Sequence, residues 1–150
     1  MVNKENYSLS ILVPVYNEQQ GIAPFLEAIN DRLATIRDHI DIVFINDGSQ
    51  DQTRQVIEEF ITQDDSISLV NLARNFGKEA AMTAGLDYVQ GDAAVLIDVD
   101  LQDPPELILQ FVDRWLQGDC DTVYGVRVDR SADTWLKRQT AGGFIKSSIC

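Results

Sequence analysis

The segment Asp98-Val99-Asp100-Leu101-Gln102-Asp103-Pro104-Pro105-Glu106 sets two carboxylates one residue apart, directly behind the apolar run Ala93-Ala94-Val95-Leu96-Ile97. Carboxylates emerging together from a buried strand suit a hard divalent cation such as Mg²⁺ or Mn²⁺, which takes oxygen ligands and commonly arrives with a phosphate. A phosphate-bearing ligand is therefore the first expectation. The spacing alone is weak: 17 of the 150 residues are Asp, and about two such pairs arise by chance at that density. The second pair, Asp119 and Asp121, lies in the polar stretch Gln-Gly-Asp-Cys-Asp and reads as a solvated turn. Position in the fold must discriminate between them.

The elements that would carry these residues alternate. Continuous apolar runs at Leu9–Val15, Asp41–Asn46, Ser66–Leu72, Ala93–Asp98 and Asp121–Gly125 fit strands covered on both faces, as in a parallel sheet. Helical patterns fill the gaps at Gly21–Arg37, Gln52–Ile61, Lys78–Val89 and Pro105–Leu116; the first repeats Ile22, Phe25, Leu26, Ile29, Leu33 and Ile36 at a period near 3.6. Asp51 is a candidate N-cap for the second helix, and Pro104-Pro105 marks the start of the fourth. The order predicts an α/β fold, a Rossmann-like doubly wound and mostly parallel sheet with helices on both faces.

Ligands of such sheets bind beyond the carboxyl ends of the strands. Four polar clusters fall there: Pro14-Val15-Tyr16-Asn17-Glu18, Asn46-Asp47-Gly48-Ser49, Arg74-Asn75-Phe76-Gly77-Lys78, and Asp98–Glu106. A single polar loop after a strand is usually a solvated connection. Four on one edge, each able to bind sugar, base or phosphate, argue for a site.

Composition narrows the partners. With 45% hydrophobic residues the chain can bury one core and is expected to be one domain over residues 1–150. Residues 1–123 hold 22 acidic and 7 basic side chains, a net of −15, whereas residues 124–150 are +3. An acidic body disfavours nucleic acid, whose phosphates need Lys and Arg. A basic end suggests a local anion, either a phosphate or a lipid surface. Cys120 and Cys150 supply neither a disulfide framework nor a zinc site. His39 stands alone and reads as a loop residue. No apolar run is long enough to span a bilayer.

Taken together, the four clusters resemble the nucleotide-sugar-dependent glycosyltransferases of family 2, which have the GT-A fold, in order through essentially the whole chain. The Asp98–Glu106 cluster resembles the branch that glycosylates a polyprenyl phosphate, including dolichyl-phosphate mannose synthases and bactoprenol (undecaprenyl-phosphate) glucosyltransferases. Tyr124-Gly125-Val126-Arg127-Val128-Asp129-Arg130, followed by Trp135-Leu136-Lys137-Arg138, is similar to the bactoprenol group. The resemblance implies a metal-dependent, inverting hexosyltransferase at the cytoplasmic face of a membrane. Its donor would be UDP- or GDP-linked, with UDP-glucose favoured, and its acceptor a polyprenyl phosphate. A homo-oligomer is left open.

The resemblance also assigns residues. Pro14, Tyr16, Asn17, Glu18, Asp47, Asp98 and Val99 would contact the nucleotide sugar. Asp98, Asp100 and Gln102 would hold Mg²⁺ or Mn²⁺, with Asp98 touching either the metal or the ribose. Asp100 and Arg127 are the catalytic candidates, and Arg127, Lys137 and Arg138 would grip the acceptor phosphate. Plainer readings stand beside these. Asp47 also fits a turn in Asn-Asp-Gly-Ser. Arg74 and Lys78 are equally good as phosphate contacts or as ion-pair partners. Gln102 and Asp103 fit helix capping, and Glu106 fits the helix dipole. Arg127 and Arg138 by themselves read as surface charges.

Thr134–Cys150 is expected to form a helix, either lying on lipid through Trp135, Phe144, Ile145 and Ile149 or packing on a continuation of the chain; Gly142-Gly143 weakens it. The sequence also ends within that helix, so a longer protein with membrane segments is expected, and a nucleotide-binding but inactive piece is the alternative. A nucleotidyltransferase or a dehydrogenase is disfavoured, because no Gly-rich phosphate loop follows the first strand. An acidic Mg²⁺-binding receiver module remains the non-catalytic rival.

Overall fold

The computed structural model describes residues 6–118 and 122, and the backbone of 123–127 and 145–149. Two compact units divide the chain, residues 2–109 and 110–150.

The first unit is built on a four-stranded, all-parallel sheet: β1 (Leu9–Val15), β2 (Ile40–Asn46), β3 (Ile67–Asn71) and β4 (Ala93–Leu96), in the order β3-β2-β1-β4. The register runs Leu9 with Ile40 through Val15 with Asn46, and Leu9 with Ala93 through Leu12 with Leu96. Both central strands are buried on both faces, because every other residue of a strand points to the same side and each side has its helix. On one side Phe44 of β2 meets Phe25 of α1 (Ile22–Arg32) edge to face, with ring centroids 6.0 Å apart. On the other, Val43 and Ile45 cluster with Leu12 of β1 and Ala81 of α3 (Lys78–Leu86). A Cβ on Gly85 of that helix would stand 2.8 Å from the Ile45 side chain, so the absent methyl is what lets α3 settle against β2. The helix α2 (Thr53–Ile61) joins β2 to β3 and packs beside α1. This is the α/β, doubly wound arrangement that the apolar runs predict.

Several boundaries differ from expectation. The helix expected over 21–37 ends at Arg32, and Ala34–His39 winds as a 3₁₀ segment. Its apolar repeat continues through Leu33 and Ile36, so the pattern alone reads as one helix. The tighter winding delivers Arg37 to Asn30 Oδ1 (2.8 Å), the Ile40 carbonyl (3.1 Å), Asp64 Oδ2 (2.6 Å) and Ser66 Oγ (2.8 Å). His39 closes this segment with its ring stacked on Tyr7 and Nδ1 at 2.9 Å from the Tyr7 carbonyl oxygen, a structural role. The third helix stops at Leu86, short of the expected Val89. The strand β4 stops at Leu96, two residues short of Asp98, although the Ile97 amide still donates to the Leu12 carbonyl at 3.2 Å.

In the chain after β4, α4 (Leu107–Gln117) begins two residues beyond Pro105. The second unit holds an antiparallel pair, β5 (Val123–Arg127) and β6 (Ile145–Ile149), with Arg127 opposite Ile145. The first of these lies two residues later than expected, and the second corrects the expected helix over Thr134–Cys150. Ile145 and Ile149 are β-branched and carry strand propensity, and Gly142-Gly143 opposes a helix running into them. The candidate lipid contacts Trp135 and Phe144, and the phosphate candidates Lys137 and Arg138, lie outside the described residues. Among the described residues no helix is long and apolar enough to cross a membrane.

Candidate active site

All four sheet-edge clusters reach one cleft of about 340 Å³, lined by Pro14, Val15, Tyr16, Glu18, Asp47, Asn75, Gly77, Lys78, Ala81, Asp98, Val99 and Asp100. Every one of these residues belongs to the first unit. The volume suits a small ligand.

Parallel pairing aligns the strand ends. The Asp47 amide donates to the Val15 carbonyl at 2.9 Å, carrying the β1–β2 ladder one step into the loops. Beyond that point side chains take over from the sheet. The Asn17 amide donates to Ser49 Oγ (2.9 Å) and the Glu18 amide to Thr53 Oγ1 (2.8 Å). In return the amides of Gln50 and Gln52 donate to Asn17 Oδ1 (2.8 Å) and Gln19 Oε1 (2.9 Å). Asn17, in the left-handed region at φ 54°, thus ties the first loop to the second and does not line the cleft. The N-cap of α2 is Gln52, without a side-chain cap bond, and not Asp51 as expected; one residue earlier, Asp51 accepts the Thr53 amide (2.9 Å) and hydroxyl (2.5 Å) on Oδ1 and the Gln19 amide (3.3 Å) on Oδ2. Burial pushes its carboxyl up, but these hydrogen bonds, the Thr53 hydroxyl first, outweigh it and hold the carboxyl below its ordinary value.

Asp47 is 4% exposed, and its carboxylate fastens the third loop: Oδ1 accepts the Phe76 amide at 2.8 Å and Oδ2 the Gly77 amide at 2.9 Å. The next residue, Gly48, has φ +69°, and a Cβ there would lie 2.4 Å from the Arg74 carbonyl carbon and 2.6 Å from the Asn75 nitrogen. Only glycine satisfies both the backbone angle and the close approach. Within Asn-Asp-Gly-Ser the local bond is made by Asn46, whose Oδ1 accepts the Ser49 amide at 3.0 Å, whereas the Asp47 carboxylate grips the neighbouring loop at the edge of the cleft. Arg74 stands over the Phe76 ring, 4.5 Å from its centroid.

Lys78 opens α3 and extends to Asp98, with Nζ 2.6 Å from Oδ2 and 2.5 Å from Oδ1. Of the two readings open for Lys78, the ion pair is the one observed. Val99, 5% exposed, anchors the fourth loop, while Asp100 points outward and accepts the Gln102 amide on Oδ1 at 3.1 Å. Leu101, between them, takes the left-handed φ of 57°. Gln102 is exposed and does not line the cleft. Glu106, directly ahead of α4, pairs with Arg32 of α1 at 2.8 Å. Sequence reasoning assigned nothing to Asn75 and Ala81, which also line the cleft; Asn75 lay within a flagged loop, whereas Ala81 carried no signal. The side chain of Arg127, in β5, is not described.

The charge balance of the cleft bears on the expected metal. Among the described residues its lining carries four carboxylates, from Glu18, Asp47, Asp98 and Asp100, against the single ammonium of Lys78. A diphosphate entering such a lining would be repelled unless a cation came with it. Among the described residues no three His, Cys, Asp or Glu side chains form a metal cluster. Mg²⁺ and Mn²⁺ commonly take one or two carboxylates and complete their shell with phosphate and water. Asp98 and Asp100 fit that demand.

Comparison with known proteins agrees with this geometry. The sequence pattern of glycosyl transferase family 2 matches residues 10–147. The chain is 44% identical to the bactoprenol glucosyl transferase of Shigella phage SfV over 92% of its own length and 45% of the phage protein. A Pyrobaculum calidifontis mannosyltransferase, solved with GDP-mannose and Mn²⁺, superposes with a TM-score of 0.63 at 25% identity, covering 74% of this chain and 32% of that one. The Mycobacterium tuberculosis glucosyl-3-phosphoglycerate synthase, solved with Mn²⁺, UDP-glucose and phosphoglyceric acid, gives 0.59 at 23% identity over 80% and 43%. The chain spans less than half the length of the curated relatives it matches, 42–45% for the first three.

Proposed function

The chain belongs to glycosyl transferase family 2, with the GT-A fold, and from that premise we propose that it carries the donor-binding half of an inverting hexosyltransferase. The donor is a nucleotide sugar, with UDP-glucose ahead of GDP-linked sugars, and the acceptor is a polyprenyl phosphate at the cytoplasmic face of a membrane. The observation that carries this reading is the convergence of four strand-end loops on one acidic cleft. Likeness to bactoprenol glucosyl transferases supports the acceptor. The receiver reading is set aside by the family.

In this reading Pro14, Tyr16, Glu18 and Val99 cradle the nucleoside, and Asp47 meets base or ribose through the lone pairs its loop bonds leave open. Asn17 supports them from behind. Asp98 and Asp100 hold Mg²⁺ or Mn²⁺, with Gln102 adjacent; when bound, the ion would offset charge growing on the departing nucleoside diphosphate. A lipid monophosphate is already an anion, so it needs no side-chain base. Its oxygen bonds to the anomeric carbon as the bond to the diphosphate breaks, which inverts that carbon. The protein contributes position and charge, and Arg127, Lys137 and Arg138 are the groups proposed for the acceptor phosphate.

The test is calorimetry of UDP- and GDP-sugars with and without Mn²⁺ on this chain, followed by labelled-sugar transfer to undecaprenyl phosphate by the full-length protein. Mn²⁺-dependent binding that disappears in Asp100→Ala is expected. Binding of no nucleoside diphosphate, or binding indifferent to Asp100→Ala, overturns the reading. Binding without transfer by the full-length protein would favour a nucleotide-binding module with no activity.

A further inference from the structure

Resting on the nucleotide-binding reading above, we propose that the Lys78 ammonium is a resident cation at Asp98, which a divalent ion must displace, so that metal and nucleoside diphosphate enter the cleft as a coupled pair.

Three observations meet here. One ammonium covers both carboxylate oxygens of Asp98, at 2.5 and 2.6 Å, which is where an entering cation would bind. Among the described residues lining the cleft, Lys78 is the only basic side chain, against four acidic ones. The backbone that launches it is fixed, because the two preceding amides, of Phe76 and Gly77, are both held by the buried Asp47 carboxylate. The reach of Lys78 to Asp98 is therefore set by the same contact that closes the neighbouring loop.

A divalent ion on Asp98 competes with an ammonium at contact distance for that carboxylate, since the two cations repel. The lysine has a flexible stem and a compact charge, so it can leave Asp98 without moving the helix. Leaving is unfavourable while the only nearby anions are the carboxylates the ion is taking. A diphosphate changes that by giving the displaced ammonium a new partner and the metal more oxygens. Nucleotide thus tightens metal binding, and metal must tighten nucleotide binding by the same factor. In the free protein the pair also keeps Asp98 neutralised.

The experiment is an Mn²⁺ titration followed by electron paramagnetic resonance, on the wild type, Lys78→Met, Lys78→Gln and Lys78→Arg. Each is run without nucleotide and with saturating UDP or GDP, whichever the wild type binds. Lys78 is half exposed, so the variants should fold, and their urea midpoints check this. Without nucleotide, Lys78→Met and Lys78→Gln should bind Mn²⁺ about three- to tenfold more tightly than the wild type. Lys78→Arg, which keeps the charge, should stay within about twofold. The gain in Mn²⁺ affinity on adding nucleotide should be large in the wild type and small in both neutral variants. Neutral variants that bind Mn²⁺ alone no more tightly than the wild type overturn the inference, provided the wild type binds Mn²⁺ with nucleotide. A wild type that binds no Mn²⁺–nucleotide overturns the functional reading and this inference together.

Discussion

Oδ2 of Asp47 accepts the Gly77 amide at 2.9 Å across 30 residues of sequence, so the end of β2 and the start of α3 are joined by a carboxylate with almost no exposure. An aspartate expected to address a ligand is first a clamp between two loops. Replacement by asparagine keeps the size but turns an amide N–H₂ toward a backbone N–H. Asp47→Asn should lose about 1–3 kcal/mol of stability in urea denaturation and weaken nucleotide binding by calorimetry at least about tenfold. Full retention of both would mean the clamp is dispensable.

Gly48→Ala tests the same junction from the backbone. The added Cβ meets the Arg74 and Asn75 backbone well inside contact distance, at a φ of +69°. Left-handed strain and overpacking together should cost about 2–4 kcal/mol, measured by chemical denaturation. A neutral result would contradict this approach of the loops.

Asp100 separates binding from stability. It is exposed, and its one described bond accepts the Gln102 amide. Asp100→Asn retains that acceptor, so unfolding free energy should change by less than about 0.5 kcal/mol. Mn²⁺-dependent nucleotide affinity should fall more than about tenfold, while any metal-independent affinity persists. Calorimetry with and without Mn²⁺ distinguishes the two.

Acid should loosen the ends of the sheet that lie away from the cleft. Burial raises the Asp64 carboxyl, but the Ser66 hydroxyl and amide and the Arg37 guanidinium together hold it below its ordinary value. A carboxyl lowered in the folded state contributes stability that is complete above its unfolded value, about 3.9, and lost as pH falls through the lower folded value. Melting temperatures from pH 6 down to 2.5 should therefore drop more steeply below about pH 4 in the wild type than in Asp64→Asn. Parallel curves would deny Asp64 this role.

The central strands and the position of the cleft were legible because burial on both faces leaves continuous apolar runs, and strand ends in a parallel sheet share an edge. Leu9–Val15 matches its strand residue for residue. The Leu33–Ile36 stretch was not legible, since a 3₁₀ turn carries nearly the same apolar spacing as an α-helix and only the contacts of Arg37 decide between them. Residues 145–149 were misread for a related reason: Ile-Lys-Ser-Ser-Ile has too few residues for either period to declare itself, and its partner strand is about twenty residues away. Within the cleft the loops were foreseeable, but Ala81 carried no signal, Asn17 and Gln102 fall outside the lining, and the pairings were not legible. Nothing in the sequence says that Asn17 faces Gln50, or that Lys78 reaches Asp98.

The reciprocal bonds between residues 17–19 and 49–53 have a thermodynamic consequence. A ligand meeting that wall need not freeze it, so ordering entropy spent on association should be confined to the neighbouring rim around Asp98 and Asp100. Amide hydrogen exchange would register this as slow, ligand-indifferent protection on one side and new protection on the other. Residence time would then be governed by how quickly the rim near Asp100 lets go.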